Sequence, residues 1–245
     1  HNYYKEDEFT YQFDYDTNVI TISNDTDVDL QFFFNPTDLF TIFNEEIEVR
    51  IEIPLDLELD EMVLTTTNAT VDIANVDSDI LDIHTSNANV TVANSVYTGD
   101  VSITTSNGKI DFSNVEVSED VTLNTSNGKI DVNNIVVNGN GYLDADTSNS
   151  GVYVSNTNFG SYTIDTSNGP VRLQDLNSAT DDGVTLDIVT SNSSINLEDV
   201  YVNDIEASTT NGDIDFTNSD TTYRPISLDL NTSSYNDVHT NVVED

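Results

Sequence analysis

The chain has 245 residues, 45 of them acidic and six basic, and its formal net charge at pH 7 is −39. This charge excludes nucleic-acid binding, which needs a basic surface against the phosphates. The absence of cysteine excludes a disulfide framework and thiol chemistry. No apolar run approaches the ~18 residues of a membrane span.

Residues 1–60 differ from the rest of the chain because they contain no copy of the repeat that follows. Aromatic and polar side chains alternate from residue 9 to residue 15, which is the period of a half-buried strand. Two hypotheses are open: this segment caps the end of the repeats, or it docks onto a neighbouring subunit by strand addition. The docking candidates are Phe9, Tyr11, Phe13, Tyr15, Phe32, Phe33 and Phe34.

Residues 61–245 repeat a Thr-(Ser/Thr)-Asn triplet, or a close variant, at intervals of 19–24 residues. Such a period predicts a stacked repeat architecture. Apolar residues recur four positions before the third residue of the triplet and three and five positions after it, which is the period of a strand. In the copy around Asn127, for example, these residues are Leu123, Ile130 and Val132. The third residues are Asn68, Asn87, Asn107, Asn127, Asn149, Asn168, Asn192, Asn211 and the degenerate Ser234.

Every copy carries a threonine at the first position of the triplet. A β-branched residue with a hydroxyl suits a column in which identical side chains stack and hydrogen-bond from coil to coil. The predicted threonine ladder consists of Thr66, Thr85, Thr105, Thr125, Thr147, Thr166, Thr190, Thr209 and Thr232.

The triplet marks a sharp corner between two strands, because asparagine and the glycine that often follows it favour turns. We predict that they supply positive φ there. Asn-Gly also suggests antiparallel hairpins, but one identical corner per repeat favours pairing between neighbouring repeats. The predicted fold is all-β: a single-domain parallel β-helix of about nine coils of 19–24 residues, with residues 1–60 as an N-terminal β cap or arm and residues 61–245 as one continuous domain.

Two copies of the repeat read TSNGKIDF at residues 105–112 and TSNGKIDV at residues 125–132. Upstream stand the strand-like Val19–Ile22 and the Ile-x-Ile-Pro segment at residues 51–54. From residue 17 to residue 245 the chain resembles an adhesin β-helix family of bacteria and archaea, described by repeats of TSNGKIDV type. The resemblance implies a single-domain β-helix, and it brings no catalytic residues.

The acidic excess suggests a halophilic source, because molar salt shortens the screening length to about 3 Å and removes most of the self-repulsion. The competing explanation is a surface protein whose carboxylates are neutralised by bound cations such as calcium. Because the chain begins at His1 and not at methionine, we expect that a signal sequence has been removed and that the protein is extracellular. Its acceptor sites for N-glycosylation are Asn24, Asn68, Asn89, Asn124, Asn192 and Asn231.

The sequence favours a protein without catalytic residues or cofactor. We expect an extracellular structural or adhesive β-helix that assembles head-to-tail into a surface filament or binds a cell-surface ligand. One alternative is an enzyme acting on polysaccharides, with Asp111 and Asp131 in adjacent coils as its carboxylate pair. The lysines two residues before each aspartate favour a ladder of surface charges instead, and the arginines are scattered along the chain. Another alternative is the receptor-binding spike of a virus.

Overall fold

The computed structural model describes residues 10–14, 19–24, 28–29, 59–177, 183–233 and 236–242. Within these ranges the regular structure is entirely β. Three short strands near the N-terminus, β1 (Thr10–Asp14), β2 (Val19–Asn24) and β3 (Val28–Asp29), form an antiparallel sheet with β2 in the centre.

The remaining strands form one parallel β-solenoid that begins at Leu59. One column of strands precedes the triplet corners and is called the leading column. Its members are β4 (Leu59–Thr65), β6 (Ser78–His84), β9 (Val101–Thr105), β11 (Val121–Thr125), β13 (Tyr142–Thr147), β15 (Ser161–Thr166), β17 (Thr185–Thr190), β19 (Asp204–Thr209) and β21 (Ser227–Asn231). The trailing column follows the corners. It contains β5 (Val71–Ala74), β7 (Val90–Ala93), β8 (Val96–Tyr97), β10 (Ile110–Val117), β12 (Ile130–Val137), β14 (Val152–Thr157), β16 (Val171–Asn177), β18 (Ile195–Tyr201), β20 (Ile214–Thr217) and β22 (Val238–Thr240).

Each strand pairs in parallel with its counterpart one coil away. The prediction of an all-β parallel solenoid of about nine coils is therefore confirmed. β11 and β13 keep Val121 opposite Leu143 and Thr125 opposite Thr147 across a 22-residue step. The extra residues of this long step lie in the turn at 138–141, as predicted, so the strands on either side stay in register.

The core consists of inward columns that run the length of the solenoid. The three predicted columns are buried, as Leu123, Ile130 and Val132 show with 0% exposure. The structure adds columns that the repeat pattern did not identify, six positions before the third residue of the triplet and eight and ten positions after it; Val121 and Ile135 are examples. The column of Val121 continues the alternation of the leading strand. The two columns after the triplet arise because the trailing strand bends and then continues inward.

The prediction that the corner glycines adopt positive φ is wrong. None of the four has positive φ in the structure: Gly108, Gly128, Gly169 and Gly212. The left-handed residues stand instead seven positions after the third residue of the triplet, where asparagine and aspartate tolerate this conformation best after glycine. The pairing of β10 with β12 accordingly skips Asn114 and Asn134. The left-handed column consists of Asn75, Asn94, Asn114, Asn134, Asn156, Asp175 and Asp199.

The corner glycines are needed for a different reason, which is close approach to the preceding coil. A Cβ on Gly128 would lie 1.7 Å from the carbonyl oxygen of Gly108, and a Cβ on Gly108 would lie 1.7 Å from that of Ala88. Main chain packs directly on main chain at these corners. Glycine is therefore selected here by the neighbouring coil and not by the local turn.

We expect Gly128→Ala to lower the free energy of unfolding by about 3 kcal/mol, because the added methyl group must push two coils apart. Ser150 occupies the same position of the next coil and already carries a Cβ, so Ser150→Ala is the matched control and should change stability by less than about 0.5 kcal/mol. Denaturant titration of both variants in molar salt measures the difference. Equal losses would contradict the close-approach explanation.

Candidate functional site

The predicted ladder threonines lie in one inward column at the corner. Thr105, Thr125, Thr147 and the corresponding residues of the next three coils are aligned opposite one another. The Thr125 hydroxyl donates to the carbonyl oxygen of Gly108 at 3.1 Å and accepts from the Gly128 amide at 3.1 Å. The hydroxyls thus bond to the main chain of the preceding coil, and not from threonine to threonine as the repeat pattern predicts.

Most members of the column make the same coil-to-coil bond. At the first described coil, Thr66 accepts a bond from the Ala69 amide. Thr85 differs, because its buried hydroxyl has no partner within the described part of the chain. The threonines that donate to a carbonyl oxygen of the preceding coil are Thr105, Thr125, Thr147, Thr166, Thr190, Thr209 and Thr232.

A second ladder runs along the outside of the same corner, and sequence reasoning missed it. The asparagine in the third position of each triplet donates its side-chain amide to the amide oxygen of its counterpart in the preceding coil. Asn107 donates to Asn87 at 2.7 Å, and Asn127 donates to Asn107 at 2.7 Å. The signal that could have predicted this ladder is the recurrence of asparagine at the third position of the triplet. The asparagine ladder comprises Asn68, Asn87, Asn107, Asn127, Asn149, Asn168, Asn192 and Asn211.

One outward face combines charged and aromatic side chains on four consecutive coils. The in-register pairing of β10, β12, β14 and β16 places Asp111, Asp131, Tyr153 and Arg172 in a single column. A lysine precedes each of the two aspartates by two residues and so lies on the same side of the strand. This mixed-charge face consists of Lys109, Asp111, Lys129, Asp131, Tyr153 and Arg172.

Ion pairs and cation–π contacts connect the mixed-charge face from coil to coil. Lys109 Nζ lies 2.6 Å from Asp111 Oδ1 and 3.8 Å from Asp131 Oδ2. Lys129 Nζ lies 2.7 Å from Asp131 Oδ2 and 4.0 Å from the ring centroid of Tyr153. Arg172 Cζ lies 5.8 Å from the same centroid. Both cations are within the range of a cation–π interaction.

The mixed-charge face is unusual in this chain because cations outnumber carboxylates on it. It holds three of the four basic residues in the described ranges, and the fourth is Arg224. The solenoid thus places Arg172 on the same face as the two lysines. Its lysine side chains are more than a third exposed, at 38% and 35%. The face therefore lies at the surface, where another molecule can reach it.

The paired aspartates of the enzyme hypothesis lie within this face. Asp111 and Asp131 are directly opposite each other in the parallel pairing of β10 and β12. Each has a lysine ammonium within 2.7 Å, so both carboxylates are held in ion pairs.

A second face, on the leading column, is acidic. Asp146 on β13 lies opposite Asp165 on β15. Asp144 precedes Asp146 by two residues on β13, and Asp187 lies on the next strand, β17. Partial burial, followed by repulsion from Asp146, Asp187 and Asp144, raises the pKa of Asp165 above its usual value. Partial burial and the charge of Asp146 raise the pKa of Asp144 as well. We call these four aspartates the acidic face.

Because the pKa of Asp165 is raised in the folded state, the folded chain binds this proton more tightly than the unfolded chain does. Stability is therefore lost as the pH rises from about 4 through the folded pKa, and the loss persists at pH 7. We expect Asp165→Asn to raise the free energy of unfolding at pH 7 by about 0.5 kcal/mol, and to raise it less at pH 3. Glu198→Gln is the control, because the pairing partners of Glu198 are the neutral Gln174 and Thr217. An equal gain in both variants would contradict the prediction.

The structure separates the six glycosylation candidates by what their side chains contact. Asn68 and Asn192 belong to the asparagine ladder, and the Asn192 amide donates to both Asn168 and Ser167. Asn89 accepts a bond from the Lys109 amide, and Asn231 donates to Asp229. Asn124 lies on β11 with its side chain partly exposed. Asn24 is the last residue of β2.

The docking candidates fall mostly outside the described residues. Tyr11 and Phe13 lie in β1, which pairs with β2 along one edge. Phe9, Tyr15, Phe32, Phe33 and Phe34 lie outside the described ranges.

Three further observations bear on ligands. A shallow groove of about 240 Å³ follows part of the left-handed column and is lined by Asn94, Asn114, Asn134 and Val136, among others. It is smaller than most small-molecule sites, which measure about 300–1,000 Å³. Within the described ranges, no group of three or more histidines and carboxylates is placed to hold a metal ion. The described residues include no helix long and apolar enough to cross a membrane.

Continuous parallel pairing, inward threonines and outward asparagines together define a parallel β-solenoid of stacked, near-identical coils. The chain belongs to the Toastrack DUF4097 family, whose model matches residues 5–188. Strands β18 to β22 lie beyond the matched range and continue the same parallel pairing. No curated protein and no solved structure matches the chain.

Proposed function

We propose that this chain is a non-catalytic adhesive β-solenoid that contacts a carbohydrate surface through its mixed-charge face. The observation that supports the proposal is the concentration of Lys109, Lys129 and Arg172 on one flat face of a chain whose net charge is −39. Elsewhere in the described ranges, a single basic residue, Arg224, accompanies the many acidic ones.

Adhesion through this face is consistent with its geometry. The strands beneath it pair in register over four coils, so its side chains project from a rigid, flat sheet. A cell surface rich in acidic sugars repels the negatively charged faces of the protein. The mixed-charge face is repelled least, because its lysines and arginine offset its carboxylates. Molar salt removes the long-range repulsion and leaves short contacts between opposite charges. We propose that the protein acts outside the cell, in a saline environment.

Binding to polysaccharide-coated beads tests the proposal. In about 1 M salt, where the screening length is about 3 Å, the wild-type chain is expected to bind beads coated with a uronic-acid polymer. The double variant Lys129→Glu/Arg172→Glu should bind at least about tenfold more weakly, since each lost ion contact is worth on the order of 1 kcal/mol. A second set of beads, coated with neutral dextran, shows whether the acid groups are recognised.

Arg224→Glu is the control for reversing a positive charge outside the mixed-charge face. The Arg224 side chain bonds to the main-chain carbonyls of Thr221 and Tyr223 and lies on an exposed turn. This variant should bind like the wild type. Equal weakening by Arg224→Glu, or full binding by the double variant, would overturn the proposal.

Head-to-tail assembly is a second candidate function, and one observation favours it. Among the described residues, β21 pairs only with β19, and β22 only with β20. Ile226 and Val238 at this end are 66% and 39% exposed. An unpaired strand edge with exposed apolar side chains is a template for another coil, and a contact of this kind that does not close on itself produces filaments.

Negative-stain microscopy and light scattering in about 3 M salt test head-to-tail assembly. Filaments of the wild-type chain that are lost on Val238→Lys would support stacking at this end. Filaments lost on deletion of residues 1–16 would assign the contact to the N-terminal arm. Monomers of the wild-type chain would rule out this candidate and leave adhesion as the function.

A further inference from the structure

We infer that Asn140 is the site at which the folded chain spontaneously deamidates, and that the two ladders protect the asparagines at the corners from the same reaction. The chain contains six Asn-Gly pairs. Asparagine deamidates fastest before glycine, because glycine has no side chain to hinder attack by its main-chain nitrogen. Four pairs lie at triplet corners, and two lie in the outer turn at 138–141. The six asparagines are Asn107, Asn127, Asn138, Asn140, Asn168 and Asn211.

The reaction requires freedom at two atoms. The main-chain nitrogen of the glycine attacks Cγ of the asparagine, a new N–C bond forms, and the Cγ–Nδ2 bond breaks. The side-chain NH2 group takes up the proton of the glycine N–H and leaves as ammonia. The ring that remains is a five-membered imide. Water then opens either carbonyl of the imide, and the product is aspartate or isoaspartate. A hydrogen bond that holds the glycine N–H or the asparagine amide in place must break before the attack.

The corner pairs are held at both atoms. The Gly128 N–H donates to the buried Thr125 hydroxyl at 3.1 Å. The Asn127 amide donates to Asn107 at 2.7 Å, and its oxygen accepts from Asn149 at 2.7 Å. The corners at Asn107 and Asn168 have the same set of bonds. The attack at these corners must therefore break several hydrogen bonds at once.

The outer turn lacks this support. The Asn138 amide donates to the Glu116 carboxylate, so this side chain is held on one side. Asn140 is exposed, and within the described ranges no hydrogen bond holds its side chain or the Gly141 N–H. Gly141 itself is buried against the main chain of Glu119, so the Asn140 side chain is the freer of the two reacting groups. Asn211 is intermediate, because its amide donates to Asn192 but the ladder does not continue to the degenerate Ser234. The expected order of rates is Asn140 first, then Asn138 and Asn211, and the inner corners last.

Peptide mapping by mass spectrometry tests this inference on the full chain. The protein is incubated in mildly alkaline buffer with about 3 M salt, and a second sample is incubated in urea at the same pH. In the folded sample, Asn140 should deamidate at least roughly tenfold faster than Asn107, Asn127 and Asn168, which corresponds to the loss of one to two net hydrogen bonds. In urea, the six rates should agree within a few-fold. Equal rates at Asn140 and at the inner corners of the folded protein would overturn the inference.

Thr125→Val adds an internal test because it frees the Gly128 N–H. Deamidation at Asn127 should then accelerate, while Asn168 in the same molecule keeps the wild-type rate. If both corners accelerate equally, the variant has unfolded, and the comparison of the folded and urea samples of the wild-type chain decides. Asn140→Ser should remove most of the ammonia released by the folded protein. An unchanged release would also contradict the assignment.

Discussion

Raising the KCl concentration from 0.1 M to 3 M is expected to raise the melting temperature of this chain by on the order of 10 °C, because the screening length falls from about 10 Å to below 3 Å. The formal charge of −39 repels itself in the compact state. On the acidic face, partial burial and then repulsion from neighbouring aspartates raise the pKa of Asp165. For a domain of this size, 1 kcal/mol corresponds to about 2–4 °C. Thermal unfolding followed by circular dichroism in a salt series measures the effect.

A variant with fewer charges separates screening from the general stabilising effect of concentrated salt. Asp144→Asn/Asp146→Asn/Asp165→Asn removes three of the four acidic-face charges without changing the inward columns. Its melting temperature should exceed that of the wild type in 0.1 M KCl, and the difference should shrink as salt is added. The same salt dependence in both proteins would show that self-repulsion is not what limits stability.

Thr125→Val is expected to lower the free energy of unfolding by about 2–4 kcal/mol. The Thr125 hydroxyl is both donor to the Gly108 carbonyl and acceptor from the Gly128 amide, and valine has nearly the same shape without the oxygen. Two main-chain groups would lose their partner beside a buried side chain, and each unsatisfied group costs about 1–3 kcal/mol. Denaturant titration in molar salt, with the slope compared to wild type, measures the loss.

Thr85→Val is the matched control within the same column. The Thr85 hydroxyl is buried, but it has no hydrogen-bond partner in the described part of the chain. Replacing it by a methyl group should leave stability unchanged or raise it slightly, because an unsatisfied polar atom is removed. A loss of similar size in both variants would mean that the shape of threonine, and not its hydroxyl, is what this column requires.

The stacked architecture could be predicted from sequence because it depends on a period and on alternation. The 19–24-residue spacing of the triplet and the inward residues beside it, such as Ile130 and Val132, identify parallel coils without any knowledge of the turns. Insertions do not disturb this inference, since the turn at 138–141 takes up the extra residues while Thr125 and Thr147 stay aligned.

The corner chemistry could not be predicted in the same way, because neighbouring coils decide it. Asn-Gly is a local signal for positive φ. Glycine is required at position 128 for another reason, because a Cβ there would clash with the main chain of Gly108. The left-handed residues, such as Asn134, stand seven positions further on, where the trailing strand bends inward. A local turn rule fails here because packing between coils overrides it.

The composition of the mixed-charge face could have been predicted from the sequence, but only part of it was. Aligning the repeats places Asp111, Asp131, Tyr153 and Arg172 at one position of successive coils, which the pairing shows. The repeat pattern predicts a surface ladder of the two aspartates and the two lysines that precede them, but its continuation to Tyr153 and Arg172 was not predicted. The cation–π contacts at Tyr153 depend on side-chain conformations, which a repeat alignment does not contain.

The measurement that tests the central claim most directly follows binding and cleavage of a uronic-acid polymer in the same sample. The wild-type chain, the Asp111→Asn/Asp131→Asn variant and the Lys129→Glu/Arg172→Glu variant are incubated with the polymer in molar salt, and retained protein and newly formed reducing ends are quantified. The adhesive account predicts retention without new reducing ends, and loss of retention in the Lys129→Glu/Arg172→Glu variant. Reducing ends that form with the wild type and disappear in the Asp111→Asn/Asp131→Asn variant would contradict it and establish an enzyme.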